Sequence, residues 1–204
     1  NNRLTLIQAA LCEPFTIGLY SAKQGQGPRS EKIAILGSGP IGLSCLTAAK
    51  FLGAKKVFMT DKINSRLAVA KSHGTDWIGN PDEIDIVKEI TKIEPLGVDV
   101  VYECAGQQST IDQALEILRP GGKLVLVGIP RQSVMSFCID YTRRKEITLV
   151  NIRRQNRTTH ESIEVIADKK VNVDFMATHK FPFKDAATAF DLVAGYHDRV
   201  IKAM

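Results

Sequence analysis

Lys32-Ile33-Ala34-Ile35-Leu36-Gly37-Ser38-Gly39-Pro40-Ile41-Gly42 is the stretch whose reading decides the fold. Its first five residues are a short apolar run rich in β-branched residues, the pattern of a strand buried in a parallel sheet. From Ile41 to Leu52 the chain is apolar enough for a buried helix, which Gly53 stops. A second apolar run, Val57-Phe58-Met59, ends at Asp61. Strand, glycine turn, helix, strand and acid make one βαβ unit of about 30 residues, the arrangement that binds a dinucleotide. Gly37 permits the tight turn, Gly39 lets a pyrophosphate approach the backbone, and Gly42 lets the helix pack closely on the sheet. Pro40 suits a first helical turn, where its missing N–H costs nothing. The free N–H groups of that turn attract phosphate. Asp61 follows Gly42 by about 20 residues, where an acid accepts hydrogen bonds from ribose hydroxyls. The plainer alternative for Asp61 is a cap on the next helix.

Outward from this unit the pattern repeats. Helices are expected over 63–73, over 83–93 capped by Asp82, over 108–118 and over 158–168. Strands are expected at Trp77-Ile78, Val98–Cys104, Lys123–Gly128 after the Pro120-Gly121-Gly122 turn, and Ile147–Ile152. Strands alternating with helices at this pitch predict an α/β fold, a doubly wound parallel sheet of six strands. Ligands of such sheets bind at the carboxyl ends of the strands. That nominates Gly37, Gly39, Pro40, Ile41 and Gly42, then Asp61, Cys104 to Gly106, Val127 to Ile129, and Ile152 to Arg154. Ala105, Gly106 and Gly128 are small enough either to admit a flat ring or to be ordinary turn residues.

Residues 4–24 have helical spacing, interrupted by Glu13-Pro14, so two short helices are expected to meet at Cys12-Glu13-Pro14. A carboxylate in that mainly apolar setting caps a helix, faces a polar site or holds a metal. Gln24–Pro28 reads as a linker. From Val171 the character changes, with an extended Ala177–Phe181 and a last helix around Ala186–Val193, expected to pack on something other than the sheet.

Composition narrows the class. The 204 residues are 44% hydrophobic and 24% charged, enough for a packed core. A net charge of +5 without a basic block argues against a nucleic-acid surface. No run of 18 apolar residues and no signal peptide occur, so neither a membrane span nor secretion is expected. Cys12, Cys45, Cys104 and Cys138 sit apart in apolar stretches and read as buried reduced thiols of a cytoplasmic protein. No CxxC occurs, and the four histidines lack ligand spacing. The chain starts at Asn1 rather than Met, the mark expected of a fragment.

Further motifs extend over essentially the whole chain: Ala9-Ala10-Leu11-Cys12-Glu13-Pro14, Gly39-Pro40-Ile41-Gly42-Leu43, Asp61 with Arg66-Leu67, and Asp99-Val100-Val101-Tyr102-Glu103. They continue through Pro120-Gly121-Gly122, Lys145-Glu146-Ile147, Val171-Asn172-Val173 and Thr178-His179-Lys180-Phe181-Pro182. Together these resemble the zinc-dependent medium-chain dehydrogenases, in particular their polyol (sorbitol-like) branch. The resemblance implies a Rossmann cofactor domain at 28–170, with 1–27 a helical connector from a catalytic domain and 171–204 the return to it. It implies NAD as cofactor, zinc in the full-length enzyme with most ligands outside this chain, and a small alcohol or polyol as substrate. By position, Glu13 is implied in or beside the zinc sphere and Asp61 is the acid favouring NAD. Arg66 would lie beside the adenosine, and Val127-Gly128-Ile129 would face the nicotinamide half; Cys104 and Ala105 count as cofactor-binding from their place at the end of the fourth strand. Ile152-Arg153 would reach cofactor and substrate, Arg153 counted with Glu13 as catalytic. Where the polyol branch carries Tyr, this chain has Arg154, a group that pairs with phosphate or carboxylate. The resemblance also implies pairing of the last strand across a two-fold axis, hence a homodimer or homotetramer.

Other readings fit less of the chain. Tyr141 and Lys145 have the YxxxK spacing of short-chain dehydrogenases, but the TGxxxGxG turn of those enzymes is absent. A methyltransferase would not explain the full GxGxxG or Glu13-Pro14. The alternative of a different class is a stand-alone, non-catalytic NAD(H)-binding module.

Overall fold

The computed structural model describes residues 3–27 and 31–204. Six parallel strands, β1 (Lys32–Leu36), β2 (Lys56–Thr60), β3 (Trp77–Gly79), β4 (Val98–Glu103), β5 (Leu118–Leu126) and β6 (Thr148–Asn151), lie in the order β3-β2-β1-β4-β5-β6. The order reverses between β1 and β4, so their carboxyl ends flank the crevice where such sheets bind ligands.

Alternation along β1 separates two cores. Ile33 and Ile35 face α1 (Leu6–Gly25) and α2 (Pro40–Phe51). Ala34 and Leu36 face α4 (Ile86–Ile93) and α5 (Gln108–Ile117). α3 (Asn64–Ser72) follows β2, and α7 (Thr159–Ala167) packs outside α1 through the buried Thr16–Thr158 hydroxyl pair at 3.0 Å. At one point α1 and α2 nearly touch: a Cβ on Gly18 would stand 2.4 Å from the Ser44 carbonyl carbon.

Several expectations need correction. α1 is one helix through Pro14, not two. Pro14 removes the bond to the carbonyl of Ala10, but Ala10 is exposed, so water can take that carbonyl. Leu11, Phe15, Leu19 and Ala22 are fully buried on one side of the same helix, and this packing outweighs the local break. Its start is a capping box, with the Thr5 hydroxyl accepting from Gln8 N–H and the Gln8 amide oxygen from Thr5 N–H, both at 3.1 Å. Gln24 and Gly25 belong to α1 rather than to a linker, and Pro28 lies outside the described residues.

α4 is capped by Asp85, whose carboxylate accepts from Lys88 N–H at 3.0 Å, not by Asp82. Asn80 takes the Asp82 N–H on its side chain at 3.0 Å and makes residues 80–84 a turn. β5 begins before the Pro-Gly-Gly turn, because Arg119–Gly122 bulge out opposite Asp99. The Arg119 guanidinium closes the bulge on the Asp99 carboxylate at 2.5 Å.

The chain after Val171 does pack on the sheet layer. Val173, Met176 and Ile201 are buried in the α1–α2 core, and Phe175 stacks on His73 at 3.7 Å. β7 (Ala177–His179) and β8 (Lys202–Ala203) form a separate two-stranded ribbon. α8 (Ala186–Ala194) and the short turns on either side of it, Phe183–Asp185 and His197–Arg199, have no buried residue. All four cysteines are free, and Cys138 is exposed rather than buried, because it precedes α6 (Ile139–Arg144), a helix without buried residues.

Lys145 is a structural residue. Its ammonium donates to the carbonyls of Leu115, Glu116 and Leu118 at 2.9, 2.7 and 2.8 Å, closing the C-terminal end of α5. Burial lowers its pKa; the ammonium lies 5.4 Å from the centre of the Tyr141 ring, but its hydrogen bonds go to the three carbonyls of the α5 end.

One ion cluster gives a pH prediction. The carboxylate of Glu94, at the end of α4, accepts from Lys32 at 2.5 Å and Lys56 at 2.8 Å, the first residues of β1 and β2. Burial alone would raise its pKa, but the hydrogen bonds and charges of the two lysines outweigh it and hold the carboxyl below its usual 4.5. A depressed carboxylate contributes stability above the unfolded pKa and loses it as pH falls through the folded value. Urea unfolding between pH 7 and pH 3 is therefore expected to show stability falling with acid. In Glu94→Gln the curve should be flatter on the acid side and lower at pH 7.

Candidate functional site

A cleft of about 670 Å³ opens at the switch point between β1 and β4. Gly37, Gly39, Pro40, Ile41 and Gly42 line it from the turn and α2, with Asp61 just after β2, Arg66 on α3, and Cys104 and Ala105 just after β4. Nine of the residues nominated from sequence thus meet in one place.

The turn depends on glycine where backbones touch. Gly37 has φ +108, and its N–H donates to the Thr60 carbonyl at 2.8 Å. A Cβ on Gly42 would fall 1.8 Å from the Gly37 carbonyl oxygen. Gly39 differs: a Cβ there would meet only the Arg66 guanidinium, at 3.5 Å. That space is open on the ligand side, at the N-cap of α2 with Pro40 first in the helix.

Asp61 joins the turn to β2. Its carboxylate accepts from Ser38 N–H at 2.6 Å and Ile63 N–H at 2.9 Å. It does not cap α3, whose N-cap is Ile63 without a side-chain bond. Each oxygen keeps acceptor capacity for a hydroxyl. Cys104 lies 3.9 Å from Cys45, Sγ to Sγ; that contact and burial push its thiol well up, so it is a neutral wall rather than a nucleophile.

Val127, Gly128, Ile129, Ile152 and Arg153 are not in the walls of this cleft. They follow β5 and β6, farther along the same carboxyl edge of the sheet. Gly106 and Gly128 do not leave room for a flat ring. A Cβ on Gly128 would stand 2.4 Å from Gly106 N, and one on Gly106 2.6 Å from the Ile129 carbonyl, so these glycines let two loops touch.

Glu103 is the site residue that sequence reasoning missed. It is almost fully buried at the end of β4. One carboxylate oxygen accepts from Ala105 N–H at 2.8 Å, Gly106 N–H at 2.7 Å and the Thr110 hydroxyl at 2.7 Å. It thereby sets the loop that forms one wall of the cleft. Its sequence signals are an acid that ends an apolar strand just before Ala105-Gly106 and its place in the Asp99–Glu103 motif, neither of which gives it a role.

Glu13 and Arg154 share a second pocket of about 720 Å³, lined otherwise by α1, the residues just before it, Gln155 and α7. Glu13 is exposed and caps nothing. Arg154 and Arg153 are exposed, and Arg153 does not line that pocket.

Residues 40–168 match the model of a family described as zinc-binding dehydrogenase. The chain belongs to that family. Among its relatives are a sorbitol dehydrogenase of Bacillus subtilis, 33% identical over 98% of this chain and 57% of its own length. An L-idonate 5-dehydrogenase of Vitis vinifera is 34% identical over 95% of this chain and 54% of its own length. A crystal structure of an Escherichia coli oxidoreductase/dehydrogenase of unknown specificity, 29% identical, superposes with a TM-score of 0.90, covering 100% of this chain and 58% of that one. The chain thus spans a little over half the length of the relatives it matches.

Whether this zinc-binding dehydrogenase chain fits the groups its family implies can be read from its own atoms. For a dinucleotide the fit is good. The space over Gly39 is open, and the Ser38 hydroxyl and Arg66 Nε are buried without a hydrogen-bond partner beside it. For zinc it is not. Among the described residues no three His, Cys, Asp or Glu side chains come together to hold a metal, and Glu13 stands without a second ligand. Also among them, no helix is long and apolar enough to cross a membrane.

Proposed function

We propose that the β1–β4 cleft binds NAD and that the whole protein transfers hydride between a secondary alcohol, of sugar-alcohol type, and that cofactor. The observation that supports this most is the open cradle at Gly39, between the Asp61 carboxylate and the Arg66 guanidinium. In this reading the N–H groups opening α2 hold the pyrophosphate, with Arg66 adding charge. Asp61 accepts from the adenosine ribose hydroxyls and repels a 2′-phosphate. Cys104 and Ala105 form the wall leading toward the nicotinamide, and Val127, Gly128, Ile129, Ile152 and Arg153 continue that edge. NAD, when bound, supplies the hydride acceptor; the chain positions it and shields it from water.

The pocket of Glu13 and Arg154 is the proposed substrate side. Glu13 offers the one carboxylate that a metal held mainly by other residues could use, and Arg153 lies next to Arg154 beyond β6. Arg154 suits an acidic group on the polyol, and the Vitis vinifera relative is named for such an acid, L-idonate. The division into a connector (1–27), a cofactor domain (28–170) and a return segment (171–204) belongs to the same proposal. So does a cytoplasmic location, in keeping with four free cysteines. β6 pairs only with β5, and its half-exposed Leu149 and open edge favour a homodimer or homotetramer joined there.

The test is a fluorescence titration of the chain with NADH and with NADPH. Tight NADH binding with little response to NADPH is expected. Equal or reversed preference would refute the Asp61 role, and no binding of either would refute the cleft assignment.

A further inference from the structure

All but one of the described residues lining the cleft come from residues 37–113; the exception is Tyr196. We propose that Tyr196 is a cofactor-binding residue that walls the adenine end of the cleft, a reading that rests on the cleft being an NAD site. The Arg66 guanidinium carbon lies 4.9 Å from the centre of the Tyr196 ring. The same guanidinium reaches to within 3.5 Å of the Cβ position of Gly39. Arg66 therefore touches both the glycine turn and the Tyr196 ring; it stands on α3 after β2, across β1 from the Cys104 and Ala105 wall that follows β4, so the ring lies on the Asp61 side of the cleft. Arg66 Nε is buried and has no hydrogen-bond partner, so a donor beside the Tyr196 ring is left for a ligand to take.

The backbone at Tyr196 is costly. Its φ and ψ are 54° and 31°, in the left-handed region, and Asp198 and Arg199 follow at φ 46° and 59°. A bulky side chain there is strained where glycine would not be. Burial does not explain the choice, because Tyr196 is 56% exposed. What the side chain does is present a flat ring, open to solvent, at the mouth of a cleft beside a planar cation. A purine base can stack on that surface whatever its edge pattern, and loss of one such ring from a base costs about tenfold in affinity.

Calorimetric titration of the chain with NADH, ADP-ribose and reduced nicotinamide mononucleotide separates the possibilities. Tyr196→Ala is expected to weaken NADH and ADP-ribose about tenfold and to leave the mononucleotide, which has no adenine, unchanged. Tyr196→Phe should bind as the parent does. Tyr196→Gly relieves the left-handed strain, so its melting temperature should rise while NADH binding still weakens; a folding defect cannot produce that pair of results. If Tyr196→Ala and Tyr196→Gly bind NADH and ADP-ribose like the parent, the adenine role of Tyr196 is refuted and the cleft assignment stands. If the parent chain binds none of the three probes, both fall.

Discussion

Gly42→Ala is expected to lower the unfolding free energy by about 3 kcal/mol and to weaken NADH binding by more than about tenfold. Two effects oppose each other. Alanine is a better helix former than glycine by about 1 kcal/mol, and Gly42 lies inside α2. Against that, the new Cβ would stand 1.8 Å from the Gly37 carbonyl oxygen and 3.1 Å from Met59 Cε. The oxygen cannot yield cheaply, because Gly37 N–H is bonded to Thr60 and the next residue to Asp61. α2 must move off the turn, and the overpacking cost exceeds the gain in propensity. Gly39→Ala is the informative contrast. Its Cβ meets only the Arg66 side chain, at 3.5 Å; the poorer N-cap that alanine makes is offset by the entropy it removes from the unfolded chain, so stability should change by less than about 1 kcal/mol. The same Cβ fills the ligand cradle, so NADH binding should be lost. Urea unfolding and NADH titration of both variants test the pair; a Gly42→Ala chain more stable than the parent would contradict the close approach.

Glu103→Ala carries the second large effect, about 3 kcal/mol of destabilisation with weakened NADH binding. Ala105 N–H and Gly106 N–H would lose their acceptor in a part-buried setting, and the Thr110 hydroxyl would keep only the Gln107 carbonyl. Leaving buried donors unsatisfied costs about 1–3 kcal/mol each, partly recovered as water enters the space. The loop they hold carries a wall of the cleft, so binding should fall with stability. Glu103→Gln keeps one acceptor oxygen, and its loss should be a fraction of the alanine variant's. Equal losses would mean that the charge, rather than the hydrogen-bond geometry, holds the loop. Measuring both variants at pH 7 by urea unfolding, then by NADH titration, decides it.

How much of this was legible beforehand varies with the range of the interactions. Gly37 to Gly42, Asp61 and Arg66 were placed together correctly because a βαβ unit brings them together whatever the rest of the chain does. The α1 break at Pro14 was read from local propensity and was wrong, because the apolar face of the helix is decided by α2. The cap at Asp82 fails for a smaller reason: residues 80–84 form a turn, α4 starts only after Asp85, and the Asp82 carboxylate pairs with Lys62 instead. Gly106 and Gly128 were recognised as small without the reason being visible, because each is required by the other's loop.

The residues themselves determined the alternation of strand and helix, the parallel sheet, the glycine turn and the acid after the second strand. These follow from side-chain periodicity and backbone freedom acting over one supersecondary unit. Tertiary structure alone decided that Lys145 closes α5, that Glu103 ties the loop after β4, and that Tyr196 returns to lie on Arg66. In the first and last of these the partners lie far apart along the chain. In all three, side chains that look ordinary in sequence take their roles from the donors, acceptors and rings that folding brings within reach.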